Sequence, residues 1–389
     1  MSDTQPETAF QPDVVLDAPT APHRSRWQTF WKLFGKNRLA VSGLAIFVLF
    51  FCTALAGLVL TSGEDPLLDP ARIRLQEKLR PPLSRPQVEA LRPQEIPGAG
   101  IYLFGTDDLG RDVFARMLQG AWVSLTVGFV AVGISVAIGI FLGGIAGYYG
   151  PVSLRLYQVL ALVFFSASAV SAASAAWIWA AASLAAAVLL FAACGKKTPP
   201  AAKGSAGRTM RAPLFTVDTL IMRIVDIMLC FPSFFLILTV VAVLPASLYN
   251  IMIVIGLTSW MGTTRFVRAE FLSLREQDFV QAARALGVGS FRIIFRHMMP
   301  NAIAPVLVSA TIGIATAILT EAGLSFLGFG VPPPHATWGN ILSDGKRFIF
   351  DAPWLTFIPG VAILVVVLSF NLFGEGLRDA MNPRLRQRN

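Results

Sequence analysis

Charged residues are scarce in this chain of 389 residues. Asp, Glu, Lys and Arg together make up 14% of it, whereas hydrophobic residues make up 54%. A water-soluble protein carries about 25% charged residues, so this composition excludes a soluble globular domain and predicts an integral membrane protein. The Lys and Arg residues behind the net charge of +9 lie beside apolar runs, which indicates membrane topology rather than nucleic-acid binding.

Histidine and cysteine are also rare, with three of each. The histidines are far apart in the sequence, which gives little support for a metal site or for histidine-based catalysis. No nucleophile is clustered with a base. We therefore expect that the chain has no catalytic residue, binds no metal and is not an enzyme. The cysteines lie within or at the ends of apolar runs, at spacings that suit neither a metal nor a disulfide, and are expected to be packing residues: Cys52, Cys194 and Cys230.

Acidic residues are nearly missing from the apolar runs, which argues against a carrier coupled to protons or sodium ions. Glu321 is the exception, because it directly follows such a run. Its position favours an interfacial residue at the outer mouth of the bundle over a role in gating or substrate binding. Glu321 and the nearby Phe326 are the candidate residues of a pathway or gate.

Apolar runs long enough to cross a bilayer recur along the chain. A hydrocarbon core about 30 Å thick needs roughly 20 residues of helix. We therefore predict an all-α membrane protein with six core spans, at 39–60, 120–147, 227–244, 246–264, 302–320 and 355–373. A further charge-free run, 156–195, is too long for one helix and predicts an inserted transmembrane hairpin, with a single long tilted helix as the alternative.

Basic residues precede the first span and follow the last, so the positive-inside rule places both termini in the cytoplasm. Residues 1–22 are predicted to be a disordered tail, and 23–38 to be an amphipathic segment in the membrane interface. The first span is of full length and lacks a cleavage site, so we expect an anchor. The loop 61–118 is expected outside the cytoplasm, and the core 119–389 to contain the hairpin with its basic linker (153–213) and a cytoplasmic loop (270–300).

Two shorter patterns predict local structure. In "FGTDDLGRD" (104–112), Thr106 or Asp107 is predicted to cap a short helix, in preference to a divalent-cation site. Gly139, Gly143 and Gly147 form a groove along one helix face, which allows close approach by another helix. Packing within the chain and packing against a second subunit are equally compatible with that spacing.

The loop between the fourth and fifth core spans is unusually regular. "DFVQAARALG" predicts a short helix that ends at Gly287. Its three alanines have small side chains and give the helix a low profile. A second amphipathic helix should follow until Pro300, with Asn301 capping the next span. A small helix outside the membrane suits a groove on a partner, although a re-entrant or surface-lying helix is the alternative. The second helix is predicted to place Phe291, Ile294, Phe295 and Met298 on one face, and Arg292 and Arg296 on the other.

This loop resembles the cytoplasmic "EAA" loop of ABC importer permeases. Ala282, Ala283, Gly287, His297, Pro300 and Asn301 match the pattern, and Gln281 stands where a glutamate is common, which argues against a salt bridge from that position. The segments "FGTDDLGRDVFAR", "MRIVDIMLCFPS", "LSFLGFGVPPP", "WGNILSDG" and "FNLFGEGLRDAMNPR" are similar, in order, to the C-type permease subunit of dipeptide and oligopeptide importers. The inserted region 153–213 departs from that pattern.

The resemblance implies a subunit of an ATP-driven importer that forms half of the translocation pathway in a six-helix core. Its implied partners are a homologous permease, two ATP-binding subunits, an extracytoplasmic solute-binding protein and membrane lipid of a bacterial inner membrane. ATP and magnesium are expected on the ATPases, with no cofactor bound by this chain. Nickel complexes, glutathione or antimicrobial peptides are alternative solutes, and a secondary carrier or membrane scaffold is a more distant alternative. The implied ATPase-coupling residues are Gln281, Ala282, Ala283, Arg284, Gly287, His297 and Pro300.

Overall fold

The computed structural model describes residues 26–63, 66–87, 100–155 and 213–381, with isolated positions between 158 and 188. The predicted tail 1–22 and most of the predicted hairpin and basic linker lie outside the described residues. The two ends of the inserted region are described. Strand β1 (Ser153–Arg155) pairs antiparallel with β2 (Pro213–Thr216), and this ribbon closes the base of the insertion.

The rest of the described chain is mainly helical. The amino-terminal helices are α1 (Arg26–Lys36), α2 (Arg38–Thr61) and α3 (Val113–Tyr149). After the ribbon come α4 (Val217–Leu229), α5 (Ser233–Val243), α6 (Leu248–Arg275) and α7 (Asp278–Ala285). The chain continues through a helical turn (Ser290–Arg292) and a π-helix (Ile293–Met298) into α8 (Met299–Phe326), α9 (Trp338–Gly345) and α10 (Trp354–Met381).

Four helical stretches of the described chain are long and apolar enough to cross a membrane, namely α2, α3, α8 with the turns before it, and α10. The pair α4 and α5 adds a fifth if it is one span, but the two helices meet at 79°. The prediction of one uninterrupted span at 227–244 is therefore wrong. The break lies at Pro232, because proline lacks the N–H that a continuous helix needs at this position. Helix α6 begins at Leu248 and contains most of the predicted span 246–264, but it is not among the helices apolar enough to cross a membrane. Asn250 and the charged residues from Arg265 onward lower its hydropathy.

Helix α3 is the centre of the bundle and packs against α2, α6 and α8, most extensively against α6. A Cβ added to Gly139 would lie 2.6 Å from Thr263 Cβ, and one added to Gly143 would lie 2.6 Å from the Thr264 carbonyl oxygen. Gly147 likewise packs against Phe271. The glycine groove therefore receives α6 of the same chain, which decides between the two alternatives that the spacing allowed.

The predicted short helix at 104–112 does not form. Thr106 instead pairs with Asp112 in an isolated β-bridge, and Asp112 caps α3 by accepting a hydrogen bond from the Phe114 N–H at 2.9 Å. The Asp107 carboxylate accepts from the N–H groups at 109 and 111, which folds a turn. Asp107 therefore organises a loop, and the cap lies five residues further along the chain.

Ion pairs fasten this loop to α9. The Asp107 carboxylate is fully buried and lies 2.6 Å from the Arg116 guanidinium, which is itself buried. Arg116 also reaches Asp344 of α9 at 2.9 Å, and Arg111 reaches Asp344 at 3.3 Å. Since removal of one partner from a buried pair leaves an uncompensated charge, this network holds the start of α3, the loop and α9 together.

Candidate coupling site

Helix α7 is a short helix between the long helices α6 and α8. Asp278 lies in its first turn, where the helix dipole favours an acid. At its end, Gly287 has φ of +74°, the left-handed conformation that the sequence predicts for it. The N–H of Gly287 donates to the Arg284 carbonyl at 2.9 Å, and the N–H of Val288 donates to the Ala283 carbonyl at 3.0 Å. These bonds fix where the helix stops.

The three alanines of α7 do not share one face. Val280 and Ala283 are buried, whereas Ala282 and Ala285 are exposed. Ala283 therefore does not contribute to the exposed low-profile side, because the helical period of 3.6 residues places it beside Val280. Leu286, at the end of the helix, is 83% exposed. A partner would meet the two exposed alanines and this leucine.

The two remaining residues implied for this helix by the resemblance take different positions. Gln281 is exposed, and its amide donates to the Arg275 carbonyl at 3.0 Å, which ties α7 to the end of α6. The Arg284 guanidinium lies 5.0 Å from the centre of the Tyr148 ring, a cation–π contact with the end of α3. Both side chains line a cleft of about 540 Å³ with Arg275 and Ser290.

The faces predicted for the second helix are wrong. Ile293 and Met298 are buried, whereas Phe291 is 73% and Phe295 52% exposed, with their rings 4.4 Å apart. The cause is the π-helix at 293–298, whose i to i+5 hydrogen bonds place residues five apart on one side. The prediction assumed the period of an α-helix.

Pro300 does not stop the helix. It lies in the first turn of α8, where a missing N–H costs little, and the chain stays helical from Ser290 to Phe326. Asn301 does not cap α8, because it lies inside the first turn of that helix, whose N-cap position is Met298. Its amide group donates to the His297 carbonyl at 2.7 Å. His297, which the resemblance also implied, lies half-buried in the π-helix.

A hydrophobic cluster anchors the whole segment 278–298 to the bundle. Val280 and Ala283 of α7 meet Ile293 and Met298 of the π-helix in its centre. Sequence reasoning missed Val280 and Ile293 as anchors, and it placed Met298 on an apolar face together with the exposed Phe291 and Phe295. The i, i+3 spacing of Val280 and Ala283 could have indicated Val280, whereas an α-helical period gave no signal for Ile293. The long helices contribute the remaining buried members: Tyr148 from α3, Val267 and Phe271 from α6, and Ala302 and Val306 from α8.

The two candidate pathway residues lie near the other end of α8. Glu321 is completely buried, and its carboxylate accepts from Ser325 at 2.7 Å and from Ser124 of α3 at 3.5 Å. Protein therefore encloses this carboxylate, which does not fit the favoured interpretation of Glu321 as a residue at the membrane interface. Phe326 is exposed, with the Lys346 ammonium 5.2 Å above its ring. The structure does not bring either residue to the segment 278–298.

The described residues hold no group of three or more His, Cys, Asp or Glu side chains that could bind a metal. The segment 278–298 is therefore suited to contact with a partner and not to catalysis. One side exposes apolar residues, and the other packs against α3, α6 and α8.

Comparison with known proteins identifies the family. Residues 204–387 match the family model of binding-protein-dependent transport system inner membrane components. Residues 25–82 match that of the N-terminal transmembrane domain of oligopeptide transport permease C. Among solved structures, the inward-facing MetNI methionine ABC transporter aligns with 68% of this chain and 95% of its own, at 16% identity and a TM-score of 0.38.

Curated relatives align over nearly the whole chain. The dipeptide transport system permease protein DppC of Alkalihalophilus pseudofirmus is 37% identical over 93% of this chain and 91% of its own. The oligopeptide transport system permease protein OppC of Bacillus subtilis is 31% identical over 98% of this chain and 99% of its own. The DppC protein of Haemophilus influenzae is 33% identical over 96% and 100%. The chain therefore belongs to the family of inner membrane permease subunits of binding-protein-dependent ABC transporters, in its DppC- and OppC-like branch.

Proposed function

We propose that this chain is the permease subunit of an ATP-driven importer of dipeptides or oligopeptides, in which it forms half of the translocation pathway. A homologous permease would form the other half, two cytoplasmic ATPases would bind ATP and magnesium, and an extracytoplasmic protein would deliver the solute. The relatives named as dipeptide and oligopeptide permeases support peptides over nickel complexes, glutathione or antimicrobial peptides.

The observation that carries the coupling role is the two-sided environment of α7. Its exposed side offers Ala282, Ala285 and Leu286 to a groove on the ATPase. Its buried side, Val280 and Ala283, is packed into the cluster that joins the ends of α3, α6 and α8. A displacement of α7 by a closing ATPase would therefore move three long helices together, because packed interiors transmit strain instead of absorbing it.

Orientation follows from the positive charges around this segment. The loop and the adjoining end of α6 carry Arg265, Arg268 and Arg275, and the π-helix carries Arg296. The positive-inside rule supports a cytoplasmic location for these residues, and for both termini, in a bacterial cell. The segment 66–112 then lies on the outer side, where the solute-binding protein would dock.

The apolar surface exposed around α7 is large enough to supply the binding free energy that a change of transporter conformation requires. Conversion of a 1:99 population of two states into 99:1 needs about 5.5 kcal/mol of differential binding. Burial of roughly 200 Å² of apolar surface contributes about 5 kcal/mol. Leu286 and Phe291, which are 83% and 73% exposed, and the partly exposed Phe279 offer area of this order. The docking energy is adequate but leaves little excess.

The test is transport by the purified complex in proteoliposomes with its binding protein. We expect uptake of a labelled dipeptide that requires ATP and is competed by unlabelled peptides. Uptake without ATP would establish a secondary carrier, and partner binding without uptake would establish a scaffold. Competition by nickel complexes or glutathione, but not by peptides, would overturn the proposed solute. Crosslinking from Ala282→Cys should reach an ATPase subunit if α7 is the coupling helix.

A further inference from the structure

A cleft of about 250 Å³ lies between α3, α6 and α8. The cleft lies near the midpoints of α6 and α8, about half-way across a membrane that these helices span. Its walls combine hydroxyl side chains with small residues and with four aliphatic side chains, and none of its lining residues is charged. The hydroxyl residues are Ser135 of α3, Ser259 and Thr263 of α6, and Ser309, Thr316 and Thr320 of α8.

Three of the six hydroxyl groups donate their hydrogen bond to a carbonyl of their own helix. Ser259 donates to the Ile255 carbonyl at 2.7 Å, and Thr320 donates to the Thr316 carbonyl at 2.8 Å. Thr316 donates in the same way, at 3.1 Å, to the carbonyl four residues before it. Each of these donors is satisfied by its own helix, so the oxygen lone pairs can accept from a ligand. Hydroxyl groups at this depth are tolerated where they line a cavity.

We propose that this cleft is where the subunit contacts the transported peptide, and that it binds the main chain rather than the side chains. This inference rests on the proposed function and deepens it. Hydroxyl oxygens suit peptide N–H groups, and a lining without charge favours no side-chain charge. From Ser309 to Thr320 the row along α8 is roughly 16 Å long at 1.5 Å per residue, about the length of four or five extended residues.

Gly262 allows a steric test. It lines the cleft, and a Cβ added there meets no atom within 4 Å, so a larger side chain fits the fold while filling the cleft. Gly360 of α10 is the matched control, because it has equally open surroundings and lies outside the cleft. We expect Gly262→Leu to assemble in normal amounts with uptake of tripeptides at least tenfold slower, and Gly360→Leu to transport normally. Normal uptake by Gly262→Leu would overturn the proposal.

Thiol labelling gives a readout that does not depend on transport. In a background in which Cys52, Cys194 and Cys230 are replaced by Ser, Thr316→Cys should react with a charged methanethiosulfonate reagent, and excess dipeptide should slow the reaction. Leu364→Cys, on an exposed position of α10 outside the cleft, is the control and should react slowly with or without peptide. Equal labelling at the two positions, or no protection by peptide, would overturn the proposal.

Substrate series separate main-chain from side-chain recognition. Thr316→Val, which keeps the shape and removes the hydroxyl, should slow uptake of neutral, acidic and basic dipeptides by similar factors. A loss confined to one charge class would overturn main-chain recognition. Failure of the wild-type complex to import any peptide would instead refute the proposed function, so the two failures are distinguishable.

Discussion

Gly287→Val is the sharpest single test of the coupling helix. Gly287 has φ of +74°, and a residue with a Cβ pays roughly 1–2 kcal/mol to adopt this conformation, more when it is β-branched. No atom lies within 4 Å of an added Cβ, so the cost is conformational and not steric. A destabilisation of that size lowers the ratio of correct to alternative α7 endings by a factor of about 5–30. The apparent affinity of the ATPase for the loop should fall with the fraction of molecules that keep the correct ending, and so by at most that factor.

The assay compares dipeptide uptake and stimulated ATPase activity in proteoliposomes. Gly289→Val is the matched control, because Gly289 is two residues away, has equally open surroundings and adopts φ of −62° and ψ of 144°, which valine accepts. Gly287→Asn is the second control, since asparagine tolerates the left-handed region better than valine does. We expect Gly287→Val to lose most coupling, Gly289→Val to retain it and Gly287→Asn to be intermediate.

Two outcomes would refute the reasoning. Equal uptake by Gly287→Val and wild type would show that the α7 ending does not control coupling. Equal losses in the two valine variants would show that the loop needs flexibility or small size instead of one left-handed residue. A variant that fails to accumulate would assign Gly287 to folding alone, so the amount of assembled complex is measured first.

Three further predictions follow from burial and contact. Ala282→Asp should accumulate normally but lose ATPase docking in a pull-down, whereas Ala283→Asp should fail to accumulate, because only Ala283 is buried. Burial raises the pKa of the Asp112 carboxyl. The contribution of Asp112 to stability therefore grows as pH falls through that raised pKa and is lost as pH rises above it. Asp112→Asn should flatten this part of the pH dependence of thermal unfolding. Gly143→Leu should destabilise the protein by more than 1–3 kcal/mol, roughly the cost of overpacking, in thermal unfolding, whereas Gly133→Leu should be tolerated because its Cβ has open space.

The apolar spans could be predicted from sequence because the bilayer imposes a length and a hydropathy on each one. Helices α2, α3, α8 and α10 cover predicted runs for this reason. The break between α4 and α5 was missed, although Pro232 was visible, because a hydropathy window averages over a single residue. Polar segments carry no comparable constraint. The loop before the cap at Asp112 depends on a β-bridge from Thr106 and on an ion pair between Arg116 and Asp344, which is distant in sequence.

The coupling loop shows where local pattern fails. The end of α7 was predictable because a left-handed stop depends on one glycine. The exposure of Phe291 and Phe295 was not, because a π-helix changes the period by which sequence positions are assigned to faces. The resemblance placed the coupling loop on residues 270–300, a prediction that stays open, yet it could not tell that Ala282 and Ala283 face opposite environments.

Helix α3 connects the two ends at which this permease would receive signals. At the first end of α3, Arg116 forms ion pairs with Asp107 and with Asp344 of α9, which couple this end to α9. At the other end, Tyr148 lies in the cluster that contains the buried side of α7 and contacts Arg284. Between these ends, the glycine groove packs α3 so closely against α6 that any side chain larger than glycine in the groove would clash with α6. Motion of α7 should therefore move α3 and α6 as one unit and alter the hydroxyl-lined cleft against α8, which joins ATPase docking to the surface that we propose contacts the peptide.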